Sequence, residues 1–274
     1  MENTPFFTVI TASYNPGDAL LTTVRAVLEQ SFSDYEMIIK DGGSSDSSLE
    51  GLPSDGRIRT VCEPDTGIYD AMNRATELAR GKYIVFMNCG DVFYDKSVLS
   101  DIYDFITEKA GEAASEPSPS VIVYGDCVLD GAIKKQPKKM TDFYLYRSPL
   151  NHQTMFFGKG VFEKHGNYNT ALKVRADHEL TVRAYREGSA FLHIDRVICL
   201  YEGGGFSESD RNREQRRSDL EYIRKTHFTP KQRRAFDTQL FLGVTALRKK
   251  LASPSSPKWL RRFYRTVSNL FNSR

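Results

Sequence analysis

The stretch FFTVITASYNPGDALLTTVRAVL, residues 6–28, decides the fold of this chain. A short β-rich run, Phe6–Ile10, ends in the loop-forming residues 11–17, and Asp18 then stands where it can cap a helix. Apolar residues follow at the spacing of one helical face: Leu20, Leu21, Val24, Val27 and Leu28. This strand–loop–helix order predicts the first half of a βαβ unit.

The same alternation continues to about residue 100. Three further β-rich runs are predicted as strands: Met37–Ile39, Ile58–Cys62 and Tyr83–Met87. Apolar spacing over 68–79 predicts a second helix, which Gly81 would stop. Strands separated by helices predict an α/β fold with a mostly parallel sheet. The loops after its strands would gather at one edge, where open α/β sheets bind ligands.

The second half of the chain is less regular. Strands are predicted near 121–124, 154–157, 191 and 197–200, and helices over about 177–187, 207–225 and 230–251. Residues 111–120 predict a surface loop, and SPSSP at 253–257 predicts a linker. We therefore expect a main domain over residues 1–228, a C-terminal helix over 229–252, and a linker with a tail helix over 253–274.

Composition excludes several classes of protein. Net charge is only +3, with 40% hydrophobic and 27% charged residues, which is typical of a globular protein and predicts no nucleic-acid partner. The cysteines lie far apart without a C-x-x-C pair, which disfavours a zinc site and favours a reducing cytosol. The N-terminus does not resemble a signal peptide, and no run approaches the roughly 20 apolar residues that span a bilayer.

Three aspartates follow predicted strands: Asp41, Asp65 and Asp91. A single aspartate in such a loop is usually a turn former or a helix cap. Three at one edge would repel a phosphate unless a divalent cation lay between them, and Mg²⁺ or Mn²⁺ held by one or two carboxylates plus substrate phosphates fits that need. There is no G-x-x-x-x-G-K-[ST] or G-x-G-x-x-G pattern, so neither a P-loop nor an NAD site is predicted.

Several motifs in register resemble the family 2 glycosyltransferases. They are TVITASYN (8–15), LEQSFSDYE (28–36), KDGGSSD (40–46), EPDTGIYDAMN (63–73) and GKYIVFMNCGD (81–91). The resemblance is close over residues 6–100, looser over 120–206 and absent from the tail. It implies a GT-A fold, a Rossmann-like sheet flanked by helices, here with a C-terminal helical extension. It also implies a UDP- or GDP-sugar donor, a divalent cation, and inversion at the anomeric carbon.

The resemblance also implies residue roles. Tyr14 lies in the loop that contacts the nucleobase or ribose, and Asp41 matches the first Asp of a D-D-G-S motif. Asp91 matches the last Asp of the metal-binding D-x-D motif, with Asp65 and Asn88 as further donor-binding candidates. Asp177, in ADHE (176–179), matches the acidic motif that supplies the catalytic base.

Two positions depart from the family pattern. Gly42 stands where D-D-G-S has its second Asp, which leaves recognition of the base open. The sequence NCGD at 88–91 has a single carboxylate. Either Asp91 holds the metal alone with the diphosphate, or the metal binds weakly.

Inverting transfer needs a base that takes the proton of the acceptor hydroxyl as its oxygen attacks. Asp177 is the first candidate and Glu179 the second. The alternative is that Asp177 only caps the helix that begins there. A helix N-terminus would also lower the pKa of Asp177. His152, Asp126 and Glu179 are candidates for contact with acceptor or phosphate, although a lone His is more often structural, and so is an Asp at a strand end such as Asp126. Residues 203–205 (GGG) predict a flexible turn or a loop that closes over the donor.

The tail has the pattern of an interfacial helix. Its apolar residues lie on one helical face: Trp259, Leu260, Phe263, Tyr264, Val267, Leu270 and Phe271. Its basic residues are Lys258, Arg261, Arg262, Arg265 and Arg274, and the tail holds no Asp or Glu. The pattern predicts contact with an anionic membrane at the inner face of the cytoplasmic membrane. The alternative is a terminal helix docked on the core of the protein.

The leading hypothesis is a cytoplasmic, peripheral-membrane glycosyltransferase. It would use a nucleotide sugar and a glycan or polyprenyl-linked acceptor, in cell-surface polysaccharide synthesis. A nucleotidyltransferase is the rival enzyme, but its first loop would need cations, and residues 11–17 hold no Lys or Arg. A non-catalytic scaffold that binds a nucleotide sugar at the membrane is the alternative outside enzymes.

Overall fold

The computed structural model describes residues 4–110, 119–201 and 212–242, together with Pro257. Its strands are β1 (Phe7–Ser13), β2 (Tyr35–Asp41), β3 (Ile58–Cys62), β4 (Tyr83–Phe86), β5 (Val92–Phe93), β6 (Val121–Leu129), β7 (Ala132–Lys134), β8 (Met155–Gly158) and β9 (Ala190–Tyr201). Its helices are α1 (Ala19–Leu28), α2 (Ile68–Leu78), α3 (Val98–Ala110), α4 (Asp142–Arg147), α5 (Gly160–His165), α6 (Ala176–Arg186), α7 (Arg213–His227) and α8 (Pro230–Leu242). A 3₁₀ turn spans His152–Thr154.

The strands form one mixed sheet in the order β3-β2-β1-β4-β8-β6-β9-β5, with β7 paired to β6. β3, β2, β1 and β4 run parallel, and β6 and β9 form a second parallel pair. β8 runs antiparallel between β4 and β6, and β5 pairs antiparallel with β9. The parallel half places the loops after β1, β2 and β4 at one edge, which confirms the expected α/β architecture.

Helices cover both faces of the sheet. α1 and α3 pack on one face, where Val24 and Ile102 join a core that includes Val9 and Val85. The helices that pack on the other face include α2 and α6, which bring Met72 and Leu180 into a second core. β1 is buried along almost its whole length because a central parallel strand has helices on both sides.

Three local expectations are corrected. Asp18 occupies the N-cap of α1, but its side chain accepts no capping hydrogen bond. α2 ends at Leu78 because Ala79 is already extended, so Gly81 does not stop the helix. A Cβ on Gly81 would lie 2.5 Å from the Thr8 backbone nitrogen, so a glycine is needed where the chain passes close to β1.

The two strands expected near 191 and 197–200 are one strand, β9.

The C-terminal helix α8 packs on residues of the expected main domain. The Phe236 ring of α8 lies 5.2 Å from the Tyr146 ring and 6.1 Å from the Phe228 ring. The Tyr146 hydroxyl donates a hydrogen bond to Asp237 at 2.6 Å. The domain boundary after residue 228 stays a prediction, and the parts of the expected helices at 207–211 and 243–251 lie outside the described residues.

Candidate active site

The first candidate residues lie where β1 and β2 end. Asp41 is the last residue of β2 and is 1% exposed. Its carboxylate accepts hydrogen bonds from the backbone N–H groups of Gly43 and Ser44, at 2.9 and 2.7 Å, and from the Ser44 hydroxyl at 2.6 Å. Burial alone would raise the pKa of Asp41, but these hydrogen bonds outweigh it and hold the pKa below its ordinary value. Asp41 therefore fixes the loop that follows it.

Asp65 lies beside Gly42, the position where the D-D-G-S motif has a second Asp. A Cβ on Gly42 would lie only 2.6 Å from Asp65 Oδ2 and 3.4 Å from the Tyr14 ring. The buried Lys40 forms an ion pair with Asp65, with Nζ 3.7 Å from Asp65 Oδ2. Tyr14 itself is 69% exposed and its ring is free to contact a ligand. Tyr14, Gly42 and Asp65 thus form one surface, in which the carboxylate comes from the loop after β3.

Asn88 and Asp91 begin and end a tight turn after β4. The Asp91 N–H donates to the Asn88 carbonyl at 3.0 Å, and Gly90 takes φ +95°, a value that favours glycine. The Thr23 hydroxyl of α1 lies 3.0 Å from the Asn88 carbonyl and 2.8 Å from the Asp91 carbonyl. Helix α1 therefore fixes the turn that carries both side chains.

Asp91 is buried, with 8% of the residue exposed, and its carboxylate accepts a hydrogen bond from Gln153 Nε2 at 2.9 Å. Burial raises the pKa of Asp91 above its ordinary value, and the hydrogen bond from Gln153 and the charge of His152 oppose that rise only in part. The hydrogen bonds to this buried carboxylate do not offset its loss of hydration, so a bound cation would stabilise its negative charge.

The residues around Asp91 can supply oxygen ligands to a divalent cation. Within the described part of the chain, no three His, Cys, Asp or Glu side chains converge to hold a metal. However, Asn88 Oδ1 and Gln153 Oε1 are buried and accept no hydrogen bond. Mg²⁺ and Mn²⁺ accept such neutral oxygen ligands beside one carboxylate and complete their shells with phosphate and water.

Asp177 lies in the first turn of α6, and its side chain is 15% exposed. The Tyr69 hydroxyl donates to its Oδ1 at 3.0 Å, and His152 Nδ1 lies 3.4 Å from its Oδ2. Arg175, not Asp177, occupies the N-cap, so helix capping does not account for Asp177. Burial alone would raise the pKa of Asp177, but the hydrogen bond and charge of His152 and the N–H of His178 outweigh it, and the pKa is lowered.

His152 connects the two halves of the site. Its Nε2 lies 2.9 Å from Asn88 Nδ2, while its Nδ1 faces Asp177. β8, which starts directly after the 3₁₀ turn of His152, pairs with β4, which leads into the turn of Asn88 and Asp91. This pairing brings the expected metal ligand and the expected base into one connected site.

Two candidate carboxylates, Asp126 and Glu179, form ion pairs away from Asp91 and Asp177. Asp126 is fully buried and pairs with Lys135 Nζ at 2.8 Å and with the Gln136 N–H at 2.8 Å. Glu179 binds Arg183 at 2.9 Å and His227 at 2.8 Å, which ties α6 to α7. No described contact joins either carboxylate to Asp91 or Asp177, and their proposed contacts with acceptor or phosphate stay predictions.

Three residues of the site were not predicted from the sequence: Tyr69, Gln153 and Lys40. Tyr69 lies in the motif EPDTGIYDAMN, and Gln153 is adjacent to His152, so proximity to known motifs was the available signal. The glycines at 203–205 and the tail from Lys258 lie outside the described residues. Among the residues that are described, no helix is long and apolar enough to cross a membrane.

The model of the family "Glycosyl transferase family 2" matches residues 8–117. An uncharacterized glycosyltransferase of Mycobacterium tuberculosis is 31% identical over 192 residues, which cover 67% of this chain and 70% of the relative. The chain belongs to glycosyltransferase family 2. A PGL/p-HBAD biosynthesis glycosyltransferase of Mycobacterium tuberculosis is 29% identical over 215 residues, 75% of this chain and 80% of the relative.

Solved structures share the fold of this family 2 glycosyltransferase. S. aureus TarS 1-349 in complex with UDP-GlcNAc matches with a TM-score of 0.64 at 18% identity, over 79% of this chain and 65% of that one. The mannosyltransferase PcManGT from Pyrobaculum calidifontis, in complex with GDP-Man and Mn²⁺, matches with a TM-score of 0.61 at 18% identity. That match covers 98% of this chain and 81% of the mannosyltransferase. These likenesses confirm the GT-A type of fold.

Proposed function

We propose that this glycosyltransferase moves a sugar from a UDP- or GDP-sugar to a hydroxyl of a glycan or lipid-linked acceptor, with inversion at the anomeric carbon. The observation that carries the proposal is the connection between the turn of Asp91 and the carboxylate of Asp177, through Asn88 and His152. A donor held at Asp91 would then present its anomeric carbon near a carboxylate that is ionised at neutral pH. A role in cell-surface polysaccharide synthesis rests on analogy with the family.

The donor end of the site would bind the nucleotide. Tyr14 offers an exposed ring for the base or ribose, and Asp65 offers a carboxylate held by Lys40. A divalent cation bound at Asp91 would neutralise charge on the leaving diphosphate. The complexes of the two fold neighbours, with UDP-GlcNAc and with GDP-Man and Mn²⁺, support a nucleotide-sugar donor and a cation of this kind.

The acceptor end of the site would move the proton. The Asp177 carboxylate accepts the proton of the acceptor hydroxyl as its oxygen attacks, and the carbon–oxygen bond to the diphosphate breaks on the opposite side. Tyr69 and His152 each face one oxygen of this carboxylate, so its orientation is fixed before the acceptor binds. Such fixed geometry lowers the barrier because the reacting groups need no reorganisation.

Binding of UDP- and GDP-sugars with and without Mn²⁺ tests the donor site. We expect one donor to bind in a Mn²⁺-dependent manner to the wild type, and Asp91→Ala to abolish the Mn²⁺ dependence because it removes the carboxylate nearest the cation. Isothermal titration calorimetry gives the affinities, and donor hydrolysis gives the slow background reaction. Asp104→Ala, which removes an exposed carboxylate of α3, is the matched control and should bind as the wild type does.

Two outcomes contradict this assignment. Binding that is independent of Mn²⁺ would mean that Asp91 is not the metal ligand. Binding of a donor without any hydrolysis or transfer would favour the non-catalytic scaffold.

The tail supports a further part of the proposal, attachment to the inner face of the cytoplasmic membrane. Its cationic, aromatic-rich sequence from Lys258 suits anionic headgroups, and a surface-bound enzyme meets a lipid-linked acceptor in two dimensions. We expect the full chain to sediment with phosphatidylglycerol vesicles and a chain ending at Ser253 to stay in the supernatant. Since each cation is worth about 1 kcal/mol near such a surface, Gln at Arg261, Arg262 and Arg265 should weaken binding by about 100-fold.

Neutral phosphatidylcholine vesicles are the control for that experiment. If the shortened chain sediments as strongly as the full chain, the tail is not the anchor.

A further inference from the structure

The short segment before α6 is held by a buried carboxylate of α7. Asp219 is 1% exposed, and its Oδ2 accepts hydrogen bonds from the backbone N–H groups of Val174 at 2.9 Å and Arg175 at 3.1 Å. Its Oδ1 accepts a hydrogen bond from Gln215 Nε2 at 2.7 Å. Burial of a carboxylate costs free energy unless its oxygens are satisfied, and these three donors satisfy them. The bonds thereby fix residues 174 and 175 to α7.

The peptide group between Val174 and Arg175 is held at both ends. Its N–H belongs to Arg175 and donates to Asp219. Its carbonyl oxygen belongs to Val174 and lies 2.9 Å from the Tyr69 hydroxyl, which is also 3.0 Å from Asp177 Oδ1. The single proton of that hydroxyl is shared between the two acceptors. One peptide group thus connects Asp219 to the hydroxyl that contacts the expected base.

The beginning of α6 depends on this contact. Asp177 follows the peptide group by two residues, in the first turn of the helix. The N–H groups at the start of a helix have no partners within it, and the side chain of the N-cap residue, Arg175, makes no capping hydrogen bond. Arg175 Nε adds a second contact with α7, at 3.2 Å from the Arg216 carbonyl oxygen. The first turn of α6 is therefore positioned from outside, by α7.

Geometry, rather than charge pairing, defines the contacts of Asp219. Its three hydrogen-bond donors are neutral N–H groups. Burial lowers the pKa of Arg175, and the charge of Asp177 opposes that shift more strongly than the charge of Asp219 does. The carboxylate of Asp219 thus acts mainly as a pair of hydrogen-bond acceptors at a fixed place.

We propose that Asp219 is a positioning residue, which fixes the backbone of residues 174 and 175 and thereby keeps the Asp177 carboxylate in place for the acceptor hydroxyl. The inference rests on the proposed function of Asp177 as the base. Displacement of a reacting group by about 1 Å costs about 100-fold in rate, because the reacting atoms lose their alignment. Asp219 should therefore affect kcat and leave donor binding unchanged.

Asp219→Ala tests the proposal, with kcat measured as donor hydrolysis, in which water replaces the acceptor hydroxyl. The probe is the UDP- or GDP-sugar that binds to the wild type, with Mn²⁺. Calorimetric titration counts the donor-binding sites, so dividing by their number keeps unfolded protein from counting as a loss of kcat. We expect kcat per site to fall by about 100-fold. Donor Kd should stay unchanged, because the donor-side residues follow β1, β3 and β4, whereas Asp219 bonds to residues 174, 175 and 215.

Glu221→Ala is the matched control on the same helix. Its carboxylate is about half exposed and pairs with Lys225 of α7 at 3.2 Å, so kcat and donor Kd should both equal those of the wild type. Unchanged kcat in Asp219→Ala would overturn the proposal. So would a loss of donor affinity as large as the loss of kcat, which indicates a general structural role.

Two conservative variants separate geometry from charge. Asp219→Asn loses the charge but keeps an oxygen that can accept both N–H groups, and the Gln215 amide can turn its own oxygen toward the new NH₂ group. Asp219→Glu keeps the charge but moves it by one methylene, which displaces residues 174 and 175. We expect Asp219→Asn to keep a kcat close to that of the wild type and Asp219→Glu to lose most of it. The reverse order would overturn the proposal. Both variants keep a polar side chain at the buried position, so the pair decides the matter if Asp219→Ala does not fold.

Amide hydrogen exchange of the wild type needs no variant. The proposal requires the N–H groups of Val174 and Arg175 to exchange slowly, and rapid exchange of either would overturn it. Failure of the proposed function is distinguishable from failure of this inference. If Asp177 is not the base, Asp177→Asn leaves turnover intact while both amides stay protected. If only the inference is wrong, Asp177→Asn loses turnover and Asp219→Ala does not.

Discussion

Replacing Asp177 with Asn is expected to reduce kcat for sugar transfer by about 10²- to 10⁴-fold, the usual contribution of a general base. Asn has nearly the shape of Asp and can still accept the hydrogen bond from Tyr69, but it cannot take the proton of an acceptor hydroxyl. Donor affinity should change little because Asp177 is linked to the donor side only through His152. Single-turnover transfer and donor calorimetry on the same preparation measure the two quantities.

The pH dependence gives an independent check on Asp177. Its lowered pKa keeps the carboxylate ionised from neutral pH down to about pH 4, the ordinary value for Asp. We therefore expect no loss of base function between pH 8 and about pH 5, and a decline only as the pH falls through the lowered pKa. Tyr69→Phe, which removes one hydrogen-bond donor to Asp177 but keeps the ring, should lower kcat less than Asp177→Asn does. A variant Asp177→Asn with normal kcat would show that another group is the base.

Replacing Gly42 with Asp, which restores the D-D-G-S pattern, is expected to weaken donor binding by about 100-fold or more. The new Cβ would lie 2.6 Å from Asp65 Oδ2, so Asp65 has to move from its position beside Lys40. The added carboxylate would also repel Asp65, and like charges brought together at a binding surface cost several kcal/mol. Donor Kd by calorimetry measures the loss.

Two variants separate the causes of that loss. Gly42→Ala adds only the Cβ and should weaken binding less than Gly42→Asp does. Gly51→Asp is the matched control, because a Cβ there meets no atom within 4 Å, and its donor affinity should equal that of the wild type. Unchanged or tighter donor binding by Gly42→Asp would show that the carboxylate of Asp65 is not used for the nucleotide.

Much of the fold follows from local sequence patterns. The bounds of β3 agree with the run Ile58–Cys62, and α2 begins at Ile68, where the helical spacing of apolar residues begins. These agreements arise because period and burial are properties of neighbouring residues. Gly81 shows the limit of local patterns. A glycine is required there because the β1 backbone, which is distant in sequence, approaches it closely.

The candidate site divides in the same way. Motifs alone pointed to Asp91 and Asp177 as metal ligand and base, because each lies in a short pattern with a characteristic place in the family. The sequence also disclosed the two unusual residues, Gly42 and Asn88, but gave no reason for either. It assigned Asp65 to the donor side without showing that its carboxylate lies against Gly42.

The reasons for those residues depend on contacts between distant parts of the chain. His152 meets Asn88 across 64 residues, and Tyr69 meets Asp177 across 108. The sequence by itself determined the βαβ order, the family and the candidate carboxylates, because each follows from a pattern of neighbouring residues. Only the tertiary structure decided which side chains share hydrogen bonds, because that depends on contacts between elements distant in sequence. β8 lies antiparallel beside β4, and α6 brings Asp177 to Tyr69 of α2, which no local pattern specifies.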